Sequence, residues 1–349
     1  MKRIAYLFLT VLLLGGCALP VHTRELEQLQ VIQTLGCDGA PGAVTVSVSS
    51  GPDPSGEAPL RLAAEGRSLT KALETLQDAS PREELFFAHT RFAVIGEAAA
   101  RAGLAPLLDH FERSTQTPLT VPLFVVRGGE ARQLLTGSED PAYEATALLA
   151  SLQRGATHCP TLLEIARDLA LHGAALSAAV ELLPAQESAA SAEEGALMLH
   201  PAGYAVWKDG ALRGYLSPEA AFGLDVLRSR TPRPALVLST PEGLVTVEMR
   251  SCRTRFAAAS EDGRVLVRCR AGLREAEGLA RLDDDTLRAL DAALSAEVRA
   301  RVESALRSCR EMGADALALG PSFFSTDWRA EVSAGIERSY DINESGVSS

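Results

Sequence analysis

Histidines, cysteines and adjacent carboxylates are the side chains here that could carry covalent, acid–base or metal chemistry, and their spacing decides whether they can meet. The histidines are His22, His89, His110, His158, His172 and His200; no two stand four residues apart, and none has a carboxylate at metal-ligand spacing. His22 and His200 fall in expected loops. His89 falls inside an apolar run, where a histidine is expected to sit in the core bonded to backbone; a pH-sensing role is the sharper alternative. Glu83-Glu84 and Asp283-Asp284-Asp285 bring carboxylates together as a helix start or a solvated face does, without catalysis. The sequence has no Gly-x-Ser-x-Gly elbow, phosphate-binding glycine loop, dinucleotide fingerprint or His-Glu-x-x-His pair, and Gly128-Gly129 reads as a turn entering a helix. No catalytic, metal-binding or cofactor-binding residue is assigned, so the expectation is a protein that is not an enzyme and carries no cofactor.

Cysteine chemistry points to the start of the chain. Lys2 and Arg3 precede an apolar stretch, Ile4 to Leu14, that is too short to cross a hydrocarbon core of ~30 Å. A basic start, a short apolar segment and small residues at a cut site make an export signal. Leu14-Gly15-Gly16-Cys17 resembles a bacterial lipobox, which implies that Cys17 carries the lipid, palmitate included, and becomes residue one of the mature chain; an ordinary secretory signal is the alternative. Two or more acyl chains at ~0.8 kcal/mol per buried methylene hold a protein stably on a bilayer. Cys37, Cys159, Cys252, Cys269 and Cys309 follow at wide spacings, without a zinc knuckle, a redox motif or a disulfide framework. One disulfide stays open, beside the reading of small half-buried apolar residues.

The formal net charge is −11, and loss of Lys2 and Arg3 takes it two units lower, which disfavours nucleic acid and anionic headgroups as partners. The mature chain is long enough for two domains at ~150 residues each.

Hydropathy patterning then places the elements. Residues 44–50 and 60–64 read as strands, and Ser68 caps a helix with Leu69, Ala72, Leu73 and Leu76 on one face. Residues 84–97 read as one largely buried strand ending at Gly96, 104–114 as a helix, 119–129 as a strand and 130–137 as a short helix. Helices are expected over 142–156 and over 161–173, the second capped by Thr161 and ended by Gly173. Small and acidic residues 184–196 suit a surface loop or linker. Asp209-Gly210 between alternating runs predicts a hairpin, and Ser217-Pro218-Glu219 predicts a helix start. Strands are expected at 235–239, 244–251 and 264–271, then a long helix from about Asp283 to Met312. The fold class is α+β (mixed α/β) and multi-domain: layered sheets with helices, and a long C-terminal helix packed on an antiparallel sheet. The expected divisions are a signal peptide at 1–16, an N-terminal domain at 17–183, a linker at 184–199 and a C-terminal domain at 200–345.

The string from Gly66 to Leu135 resembles the Ger(x)C family, the lipoprotein C subunits of spore germinant receptors. Phe86, Phe87, His89, Val94, Ile95, Gly96 and Glu97 are similar to its strand motif, and Leu107, Leu108, Asp109, Phe111 and Arg113 to the helix that follows. Residues 203–228, residues 313–320 and Trp328 are similar to later family segments. The resemblance implies a membrane lipoprotein of the inner spore membrane, on its extracytoplasmic face, assembling with integral-membrane A and B subunits and relaying the signal for germination. Recognition of a small-molecule germinant is expected in the B subunit, with a contribution from this chain left open. The alternative is a lipid-tethered solute-binding protein or hydrolase, which should show two doubly wound lobes or a nucleophile motif.

Overall fold

Strands buried on both faces read as unbroken apolar runs, and two such runs, Phe92–Gly96 and Leu123–Val126, form the middle of this fold. The computed structural model describes residues 29–51, 58–80, 84–137, 144–184, 197–240, 243–259, 262–277 and 283–337. Cys17, His22 and Glu83 lie outside the described residues, as do residues 185–196 of the expected linker.

The first part contains strands Leu29–Val31 (β1), Thr34–Ala40 (β2), Ala43–Ser49 (β3) and Arg61–Gly66 (β4), then helix Leu69–Asp78 (α1). Strands Glu84–Phe86 (β5) and Phe92–Gly96 (β6) follow, with helices Glu97–Ala102 (α2) and Ala105–Arg113 (α3). Next come strand Leu123–Val126 (β7) and helices Ala131–Thr136 (α4), Ala145–Gly155 (α5) and Leu162–His172 (α6). Strands Ala174–Pro184 (β8), Leu197–Lys208 (β9) and Ala211–Leu216 (β10) complete it. Eight strands make one sheet in the order β10-β9-β8-β7-β6-β2-β3-β4, parallel from β8 to β2 and antiparallel toward both edges. Ala93, Ile95, Leu123 and Val125 pack on one side against Leu107, Phe111 and Ile165. Phe92, Val94, Phe124 and Val126 pack on the other against Leu134 and Leu149.

The rest is helix Pro218–Leu227 (α7), strands Leu236–Thr240 (β11), Gly243–Ala259 (β12) and Asp262–Glu277 (β13), helix Asp284–Glu311 (α8), the short Ser322–Ser325 turn of helix (α9) and strand Asp327–Glu337 (β14). The second sheet runs β11-β12-β13-β14, with α8 packed against it. It is mixed rather than antiparallel throughout: the long crossover returns β14 parallel to β13. Asp283 starts α8 as expected, its Oδ1 accepting the Thr286 N–H at 2.8 Å.

The two parts share strands. Ala175, Ala179, Ala205 and Trp207 face the first core, whereas Ala174, Leu176, Tyr204 and Val206, their neighbours on the same strands, face α7 and α8. β8 and β9 pair in one sheet across the stretch expected as a linker.

Other expectations change. The run 84–97 is two strands in different sheets, separated by a turn in which the Thr90 N–H donates to the Phe87 carbonyl at 3.0 Å, and Glu97 already belongs to α2. His89 lies exposed in that turn, its ring 5.7 Å from that of Phe86, and is not a core histidine. His200 lies within β9, opposite Glu181, and not in a loop. β2, β8 and β14 lie outside the spans read as strands, and β12 and β13 are longer than expected.

Candidate functional site

The family-like motif turns out to be a structural joint. Asp38 on β2 is buried and accepts the N–H groups of Ala131 and Arg132 at 2.8 Å each, capping α4 from another strand. Burial raises its pKa against the pull of those N–H groups. A Cβ on Gly96 would lie 2.1 Å from Asp38 Oδ1, so only glycine leaves the carboxylate its place. Glu97 beside it accepts from the Gly128 N–H at 2.6 Å, the Tyr215 hydroxyl at 3.0 Å and Arg101. Burial pushes this carboxyl up, but the three donors outweigh it and hold it below the ordinary range. Leu107 and Phe111 are core, and Asp109 and Arg113 form an exposed pair one helical turn apart.

A second cluster lies where the two parts meet, and no motif announces it. Asp225 sits in the apolar helix α7 and is buried. The Tyr204 hydroxyl from β9 donates to its Oδ1 at 2.9 Å, and Arg230 approaches to 4.0 Å. Burial pushes the Asp225 carboxyl up to about 6, with Tyr204 and Arg230 pulling the other way. His158 stands beside it, 3.3 Å from Glu164; its pKa is lowered by burial and by the nearby arginines 230 and 228. Arg228 donates through Nε to the Ala316 carbonyl at 3.1 Å, in the 313–320 segment that the sequence singled out. Asp315 of that segment is taken up by the N–H groups of Leu317 and Gly320. Next to this cluster opens a cleft of about 430 Å³, lined by Arg167, Asp168, His172, Arg228 and Arg230 among others. Three guanidiniums line it with two carboxylates, Asp168, which pairs with Arg167 at 2.8 Å, and Asp315, a lining that suits a small anion or a zwitterion. The acid inside an otherwise apolar stretch, FGLDVL, was the available sequence signal.

The third feature is the solvent face of the second sheet. Arg253 lies directly opposite Arg268, Arg255 is next along the strand, and all three are exposed over a groove of about 1150 Å³. Neighbouring Arg264 and Arg270 are paired with Glu331 and Glu337, but Arg253, Arg255 and Arg268 join no ion pair among the described residues. Like charges directly across a ladder repel, so this face favours an acidic surface laid on it. The net charge of the whole chain does not reveal this local excess.

Among the described residues no group of three or more His, Cys, Asp or Glu side chains is placed to hold a metal, and no helix is long and apolar enough to cross a membrane. Cys37, Cys159 and Cys309 are held as thiols by burial, at about 12, 11 and 12.

The fold and these sites define a class: a mixed α/β chain in which one face of β8 and β9, in the eight-stranded sheet, packs into the core of the four-stranded sheet and its helices. Residues 22–180 match the profile of the spore germination protein N-terminal domain, and residues 202–340 that of the spore germination B3/GerAC-like C-terminal domain. The chain belongs to the Ger(x)C family of spore germination proteins. The crystal structure of the GerBC protein is similar at a TM-score of 0.54 and 14% identity, covering 90% of this chain and 100% of that one, and so shares the fold. YfkR of Bacillus subtilis (strain 168), named for spore germination, is 26% identical over 205 residues, 58% of this chain and 52% of YfkR. That match spans about half the length of YfkR.

Proposed function

We propose that this chain is the lipoprotein C subunit of a nutrient germinant receptor, tethered through Cys17 on the extracytoplasmic face of the inner spore membrane. It acts without catalysis, by assembling with the A and B membrane subunits and relaying their signal. The observation that carries this reading is the ordered match of both family domains along one chain. The arginine face supports it, because a subunit that works by assembly needs a surface that attracts a partner. A tether also raises the effective concentration beside that partner, so weak contacts suffice.

Co-purification with the A and B subunits tests the reading directly. Capture of both by the wild-type chain, and germination lost on deletion and restored by complementation, are the expected results. Germination unaffected by deletion would overturn it. Calorimetric titration with amino acids and sugars then separates a sensor from a scaffold. Heat of binding that disappears in Arg230→Ala places recognition in the cleft; no heat leaves the chain an assembly subunit.

A further inference from the structure

The wide sequence spacing of Cys252 and Cys269 conceals a close pair. They are register partners on the antiparallel strands β12 and β13. Their sulfurs lie 3.1 Å apart, and both side chains are buried in the second core. Directly opposed residues on antiparallel strands have Cα atoms about 4.5–5.5 Å apart, inside the range a disulfide spans. A bonded pair of sulfurs is separated by about 2.0 Å, so closing the bond asks for an approach of about 1 Å, within the reach of small side-chain rotations. Cys37, Cys159 and Cys309 have no such partner sulfur among the described residues.

We propose that Cys252 and Cys269 form a disulfide when the chain folds in the presence of a small-molecule disulfide. One cysteine thiolate attacks the carrier disulfide and releases one carrier thiol. The second thiolate then attacks the mixed disulfide and releases the other. Two thiols and one carrier disulfide become one protein disulfide and two carrier thiols, so two electrons and two protons pass to the carrier. Burial sets the timing. The folded pair is screened from both oxidant and reductant, so the bond forms while the strands are pairing and afterwards persists.

Its position gives it a task. The ladder between β12 and β13 shifts register between Met249 and Ser251, one residue before Cys252. A slip by one residue there would turn the arginine face inward and the apolar face outward. A covalent rung beside the shift pins the register and keeps Arg253 opposite Arg268. This inference does not depend on the receptor reading; it requires only folding in contact with a disulfide carrier.

Refolding of the full chain in a glutathione redox buffer, followed by alkylation without reductant and peptide mapping, tests it. The expected product is a peptide joining the two strands, two hydrogens lighter than its unlinked parts, with Cys37, Cys159 and Cys309 alkylated. Recovery of Cys252 and Cys269 both alkylated, or each carrying glutathione, would overturn it. The melting temperature should also fall when reductant is added to the unfolded wild-type chain before refolding, and should be indifferent to that treatment in Cys252→Ala. A wild-type melting temperature equally indifferent to reductant would count against the bond.

Discussion

Asp225 is a carboxylate in a place that favours its protonated form, and this gives a pH signature with a definite sign. Its folded value of about 6 lies above the ordinary 3.8, so the folded protein holds the proton to higher pH than the unfolded chain does. The resulting stability is fully present below about pH 4 and is lost as pH rises through about 6. A shift of this size is worth at most about 3 kcal/mol at one pKa unit per ~1.4 kcal/mol. Urea midpoints of wild type and Asp225→Asn, compared from pH 4 to 7, should diverge across that window; parallel curves would show an unperturbed carboxyl. Gly96→Ala should destabilise by about 1–3 kcal/mol, because the new methyl meets the Asp38 carboxylate that caps α4. Equal urea midpoints would refute the cap. At this scale the sequence was partly legible. Gly96 and Glu97 stood out by resemblance, but their partners Asp38, Gly128 and Tyr215 are distant along the chain, so the reason for the motif could not be read. Tyr204 and Arg230 carry no signature and Asp225 shows only as an acid inside an apolar run, since only the fold brings the three together.

Two contacts between elements govern how the second half packs. Gly223 lets α7 and α8 touch backbone to backbone: a Cβ there would come within 2.0 Å of the Arg301 carbonyl oxygen. Gly223→Ala should therefore lower stability by about 1–3 kcal/mol and separate the helices, seen as faster amide exchange in α7. Unchanged exchange would mean that the helices have room to give. The free edge of β14 is covered by α8, where Ser295 Oγ accepts the Ala334 N–H at 2.9 Å and Asp291 Oδ1 accepts the Ile336 N–H at 2.8 Å. Removing both acceptors, in Asp291→Ala with Ser295→Ala, should cost about 0.5–1.5 kcal/mol for each of these part-buried hydrogen bonds and open those two amides to exchange. Caps and periodic stripes made α1, α6, α7 and α8 readable. β2 escaped because Gly36 and Gly39 break its apolar pattern, and β14 because alternation of Trp328, Ala330, Val332 and Ala334 with charged and small residues is a weak signal. His89 was misread because two short strands joined by a turn look, in hydropathy alone, like one long strand.

For the molecule as a whole, lipid and charge make separable predictions. Cys17→Ala made without partner subunits should leave the membrane fraction, and retention there would sink the tether. Arg253→Glu with Arg268→Glu should weaken capture of the A and B subunits, the proposed partners, by tenfold or more while leaving the melting temperature within about 2 °C, since both side chains are exposed; undiminished capture would move the contact elsewhere. The balance of strands and helices and the long C-terminal helix were legible from periodicity. The sharing of strands was not, because the acidic stretch 184–196 looks like a spacer, whereas the strands on either side of it are hydrogen-bonded neighbours. This bears on how the protein can be dissected. A chain cut between the two matched regions would end its first sheet on a raw β8 with its ladder groups open to any passing strand. The other fragment would carry β9 and β10 with one greasy side bare, Trp207 included. Neither piece would report faithfully on the intact protein, so binding measurements belong on the undivided polypeptide.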